Sequence, residues 1–166
     1  MSLDKGKMPD ISASGFKFAI AASRFNGELV DALLNDALKT LGRLGAAESD
    51  IEVVRVPGAG ELPFTCDMLA RSGQFDAVIA LGVVIAGQTP HHEIIAHSTA
   101  NALHAAAART ATPAINGIVV TNNLSQAQAR TVGEIARGAE FAEAAVEMAY
   151  RASALKAKIS NNNIKK

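Results

Sequence analysis

The chain has 166 residues and a mass of 17.2 kDa, and its 16 Lys and Arg exactly offset 16 Asp and Glu. That is the size of one domain with its own core, and zero net charge removes the basic excess that a general grip on nucleic acid requires. At 49% hydrophobic residues it is too apolar for disorder, yet no run reaches the roughly 18 apolar residues of a membrane span, MSLDKGKMPD lacks the apolar stretch of a secretion signal, and the single Cys66 rules out a disulfide framework and a Cys-based zinc site. A cytoplasmic, globular protein with no metal, no membrane and no nucleic-acid partner is the expectation.

Residues 1–14 read as an extended N-terminal arm, 15–155 as one domain and 156–166 as a polar, frayed C-terminal tail. Residues 16–22 (FKFAIAA) form an apolar run of strand length. Residues 28–44 are an amphipathic helix with Leu29, Leu33, Ala37, Leu38 and Leu41 at helical spacing, Asn26 as its cap and Gly45 past its end. IEVVRV alternates and is β-branched, so it predicts a strand. A second helix covers 62–71, with Pro63 tolerated in its first turn and Ser72 and Gly73 ending it. AVIALGVVI, at 77–85, is nearly continuously apolar, as a central parallel strand buried on both faces must be. A third helix is expected over 90–109, with Thr89 as N-cap and Pro90 at the first position. A fourth strand follows at 116–121, then a short helix from Ser125 and a last helix over 138–155. Asn123 and Gln126 have capping-box spacing.

The alternation of strands and helices implies a four-stranded parallel sheet with right-handed crossovers, covered by helices on both faces. Ligands of such sheets bind at the carboxyl ends of the strands. Three loops lie there: Ser23 to Asn26, Pro57 to Glu61, and Gly87 to His91.

The third loop runs from a buried strand into a helix start, where free N–H groups and the helix dipole form an anion site. Gly87 admits close approach of a ligand, and the Thr89 hydroxyl is available. Taken alone, the pattern is also that of an ordinary capped helix, and it is not a P-loop. His91 stands in that first turn, where an imidazole beside a phosphate suits proton shuttling near neutral pH. His92, His97 and His104 are the competing histidines; no adjacent carboxylates complete a metal set. Phe25, at a strand end, can stack on a planar ring or serve as a core or interface side chain. Glu61 can meet ligand hydroxyls or act as an acid at a helix start. Arg130 can pair with phosphate or lie on the surface as an ordinary arginine.

Taken in order, SRFN, VPGAGELP, ALGVVIAGQTPHHEII and NGIVVTNNLSQAQAR resemble the lumazine synthase family of riboflavin biosynthesis, over about residues 16–151. The resemblance implies a flavodoxin-like three-layer αβα sandwich, its sheet extended by an N-terminal strand from a neighbouring subunit. It implies condensation of 5-amino-6-(D-ribitylamino)uracil with 3,4-dihydroxy-2-butanone 4-phosphate to 6,7-dimethyl-8-ribityllumazine, with release of phosphate and water and no cofactor. Phe25 then stacks on the pyrimidine and Asn26 lines its pocket. Ala59, Gly60 and Glu61 hold the ribityl-aminouracil, and Val83, Val84 and Ile85 offer backbone contacts. Gln88 and Thr89 match the phosphate-binding pair, and His91 matches the proton-transfer residue. Asn116 and Arg130 match positions supplied by a neighbouring subunit. The implied assembly is a homo-oligomer built on pentamers, with riboflavin synthase as a further partner.

The sequence departs from the family pattern at several places. Gly60 replaces a larger, often aromatic side chain. Ala86 replaces a common basic residue, Gln88 an acidic or small one, and His92 an aromatic. Asn116 stands where many relatives carry Phe, and GEIARG lacks a frequent lysine that Arg137 can replace. Gly60 and Asn116 thin the stacking walls, so a lumazine- or flavin-binding or shell-forming homologue without turnover is the alternative reading; a flavodoxin-type redox carrier would rest on fold analogy alone. The alanine-rich third helix, with Ala96, Ala100, Ala102, Ala105, Ala106, Ala107 and Ala108, leaves a small, uncharged surface that an oligomer would bury.

Overall fold

The structure, a computed structural model, describes residues 9–163. Its elements are β1 (Phe18–Ser23), α1 (Gly27–Arg43), β2 (Ile51–Val56), α2 (Leu62–Arg71), β3 (Ala77–Ile85), α3 (His91–Thr110), β4 (Ala114–Thr121), α4 (Leu124–Thr131) and α5 (Gly138–Asn163). The four strands form one parallel sheet in the order β2-β1-β3-β4. This is the expected α/β architecture. Strand order reverses beside β1 and β3, which opens a crevice at their carboxyl ends.

β3, and β1 up to its terminal Ser23, carry no polar side chain because they lie centrally and are covered on both faces. Phe18, Ile20, Ile79 and Leu81 point to the layer of α1, α4 and α5. Ala19, Ala21, Val78 and Ala80 point to the layer of α2 and α3. Each fully buried large side chain contributes about 1.5–3 kcal/mol. Small residues on the α2/α3 side let those helices approach closely. Burial also pushes the Cys66 thiol up to about 12, so it is an inert core group at neutral pH. Asp67 of α2 bonds Arg109 of α3 at 2.7 Å and Arg71 at 2.7 Å, and these guanidinium groups hold its carboxyl below the usual range.

Several boundaries differ from expectation for identifiable reasons. β1 starts at Phe18, because a turn bonding the Phe16 N–H to the Ala13 carbonyl precedes it. The described end of the arm is docked: Ala13 is buried, and its N–H donates to the Leu44 carbonyl at 2.8 Å. Residues 1–8 of that arm lie outside the described residues, and with them most of the segment expected to extend a neighbour's sheet. Asn26 occupies the cap position of α1 in a left-handed conformation (φ 56°), but its side chain makes no cap bond. Pro90, not Thr89, caps α3, its carbonyl accepting from the Glu93 and Ile94 N–H groups. The Asn123 side chain accepts from the Gln126 N–H at 2.9 Å, whereas the Gln126 side chain returns to Asn122, one residue earlier than a capping box requires. α5 continues to Asn163 past the expected Leu155; no glycine or proline follows Gly138 to stop it.

Candidate active site

Three loops meet above the carboxyl ends of β1, β2 and β3. The first two are stitched together by backbone bonds: the Arg24 N–H donates to Val56 O at 2.8 Å and the Phe25 N–H to Pro57 O at 3.0 Å. Asn26 joins the first to the third strand, its Nδ2 donating to the Val83 carbonyl at 2.8 Å. The residue making that cross-link has a left-handed backbone, which asparagine tolerates better than most residues. The second loop turns through Ala59–Glu61 and lies down on β3. Gly82 permits this, since a Cβ there would meet Leu62 Cδ1 at 3.1 Å and the Ala59 methyl at 3.6 Å. The Gly58 N–H is bound by Glu61 Oε2 at 2.8 Å, which orients the carboxylate while leaving its second oxygen for a ligand. Ala86, its N–H bonded to Thr121 O at 2.8 Å, starts the third loop, which leads into α3.

Together these segments enclose a cavity of about 410 Å³ lined by Phe25, Asn26, Gly58, Ala59, Gly60, Glu61, Val83, Val84, Ile85, Gly87, Thr89, His91, His92 and Ile95. Phe25 is 72% exposed at its rim, so its ring face is available for stacking. A Cβ at Gly60 would find only Ile95 Cδ1, at 3.9 Å, so that wall is open space. The cavity therefore combines an aromatic face, an oriented carboxylate, two imidazoles and a helix start. Among the described residues, no Lys or Arg lines it.

Every expected site residue but three borders this cavity. Gln88 is exposed in the same loop without lining it. Asn116 pairs with Ala80, three residues before Val83, and so lies roughly 10 Å down the sheet at about 3.3 Å per residue. Its Oδ1 accepts from the Ile118 N–H at 3.1 Å. Arg130, on α4, donates Nη1 to the Gln126 carbonyl at 3.1 Å along its own helix. His97 and His104 are exposed elsewhere on α3. Among the described residues, no group of three or more His, Cys, Asp or Glu is arranged to hold a metal ion, and no helix is long and apolar enough to cross a membrane. Sequence reading gave Gly87 a place at the ligand, set Gly58 in the second loop and His92 among the competing histidines, and missed Ile95. Ile95 was discoverable, since it lies one helical turn after His91.

The family model for 6,7-dimethyl-8-ribityllumazine synthase matches residues 15–153. The chain belongs to the lumazine synthase family. It is 42% identical over 147 residues to the 6,7-dimethyl-8-ribityllumazine synthase of Desulfotalea psychrophila (strain LSv54 / DSM 12343), covering 88% of this chain and 95% of that relative. Membership makes the chain a transferase of riboflavin biosynthesis, and the parallel sandwich described above accords with the lumazine synthase fold. The matched span holds every residue of the cavity.

Proposed function

We propose that this cavity condenses 5-amino-6-(D-ribitylamino)uracil with 3,4-dihydroxy-2-butanone 4-phosphate, and that a neighbouring subunit completes it. In this lumazine synthase Phe25 stacks on the pyrimidine, with Asn26 and the Val83–Ile85 backbone at its edge. Ala59, Gly60 and Glu61 receive the ribityl chain, the free carboxylate oxygen of Glu61 accepting from its hydroxyls. Gln88, Thr89 and the start of α3 hold the phosphate. The amine adds to the ketone and water leaves, giving an imine. Phosphate is eliminated, and the second amine closes the ring with loss of another water. His91 carries protons between these steps, while the cavity walls hold the two reactants in register.

The observation that carries the interfacial part is that, among the described residues, no lysine or arginine lines the cavity. A substrate phosphate held without a cation would be poorly neutralised, and Arg130 is directed along its own α4 instead. Supplied by a neighbour, as the family pattern implies, Arg130 and Asn116 would close the open side. The surface supports an oligomer: Phe64 is 72% exposed, Met68, Ile94, Val120 and Leu124 are exposed, and Ala102, Ala105 and Ala108 face outward on α3. A pentamer, with riboflavin synthase as a further partner and the cytoplasm as its location, belongs to the same proposal.

Arg130→Ala tests the phosphate assignment. It is expected to raise KM for the phosphate-bearing substrate about ten-fold or more, leaving KM for the aminouracil within about two-fold, since a charge-assisted bond is worth roughly 1.5–3 kcal/mol. Equal losses for both substrates in steady-state titrations would contradict the role. The binding-protein alternative predicts ring binding without turnover, and the condensation assay separates the two.

A further inference from the structure

We infer that His92 is a positioning residue: it clamps the phosphate-site loop by donating a hydrogen bond from its ring to the backbone carbonyl of Thr89. This rests on the reading of Thr89 as part of the phosphate site. The two adjacent histidines are held differently. His91 is exposed, whereas the His92 side chain is 17% exposed and its Nδ1 lies 3.2 Å from Thr89 O. A carbonyl can only accept, so Nδ1 carries the proton. Nε2 lies 3.9 Å from Glu93 Oε1, beyond hydrogen-bond range.

Among the described residues, this is the one hydrogen bond made to Gly87, Gln88 or Thr89. The loop is otherwise pinned only at its ends, by the Ala86–Thr121 bond and by the first turn of α3. Pro90 fixes its own φ, here −72°, but has no N–H with which to bind the turn. Holding the Thr89 carbonyl therefore fixes the Thr89–Pro90 peptide plane, which places the Thr89 Cα and narrows the region that its hydroxyl and the preceding peptide can reach. Without that bond, Gly87 to Thr89 would sample several orientations, and the phosphate-bearing substrate would have to order them on binding. Ala86, Gln88 and His92 all depart from the family pattern within this one segment.

Two variants separate the tether from the ring. His92→Phe keeps the planar ring and removes the donor. His92→Asn keeps a donor near the position of Nδ1. His92→Phe is expected to raise KM for the phosphate-bearing substrate about ten-fold, with kcat and the aminouracil KM within about two-fold, as loss of one ordering hydrogen bond predicts. His92→Asn is expected to recover most of that loss. An unchanged phosphate-substrate KM in His92→Phe would overturn the inference, as would equal losses for both substrates or an Asn variant as impaired as Phe. Thr89→Ala is the companion measurement. If it leaves the phosphate-substrate KM unchanged, the phosphate-site reading itself fails; if it raises that KM while His92→Phe does not, only the clamp fails.

Discussion

Replacing His91 by Asn is expected to lower kcat about 100-fold or more, with both KM values within about two-fold, the range typical of losing a positioned proton-transfer group. The geometry makes the two histidines unequal. The His92 ring is engaged with Thr89 through Nδ1. No hydrogen bond among the described residues engages the His91 ring, although it opens α3 and borders the cavity. A group that must both take and give protons needs a mobile ring facing the reactants; among the described residues both nitrogens of His91 are unengaged, whereas the His92 ring is held in place by its Nδ1 bond to the loop. The rate is followed by the absorbance or fluorescence of the lumazine product. A His91→Asn enzyme within a few-fold of the parent would remove His91 from the chemistry. A kcat collapse in the His92 variants instead would exchange the two roles.

Gly138→Ala is expected to destabilise the fold by roughly 2–3 kcal/mol, combining overpacking of about 1–3 kcal/mol with partial loss of a cap worth about 1 kcal/mol. A Cβ at Gly138 would lie 2.5 Å from the Leu33 carbonyl oxygen and 2.7 Å from the Asp36 Cβ. The first contact is with backbone inside α1, so a rotamer change cannot relieve it. Relief requires the start of α5 to move outward, which stretches the 2.7 Å bond from the Ala139 N–H to Asp36 Oδ2. That start leads into the helix carrying Ala142, Ala145, Val146 and Ala149 into the core. At about 2–4 °C per kcal/mol for a chain of this size, the melting midpoint should fall roughly 5–10 °C. Gly42→Ala is the control. It is exposed on α1 with nothing within 4 Å of its Cβ position, and should be neutral or stabilise by up to about 1 kcal/mol. Melts at one fixed protein concentration check both, because assembly makes the midpoint concentration-dependent. A Gly138→Ala protein as stable as the parent would contradict the packing described for α5.

The sheet was legible because its signals are local. β2 matches its alternating β-branched stretch and β3 its apolar run residue for residue, and α2 matches its proline start and Ser-Gly stop. The strand-end rule then pointed to the three loops that do converge. Readings that depended on distant partners were less complete. Asn26 reads locally as an N-cap, but its amide is taken by Val83, 57 residues away. Thr89 reads as a cap, but Pro90 takes that position, and the Thr89 carbonyl pairs with the His92 ring. Nothing local to Arg130 or Asn116 reveals that both stand away from the cavity of their own chain; strand register and helix placement decide that. The missing cation likewise becomes visible only once the lining residues are brought together.

The most direct measurement is the condensation assay on protein fractionated by size, with light scattering on the same fractions. A cavity with no cation among its described lining residues, completed by a neighbour's Arg130, predicts that lumazine forms in the oligomeric fraction, and that any monomeric fraction gives no rate above the uncatalysed reaction. A folded oligomer without activity, or a fully active monomer at micromolar concentration, would contradict it.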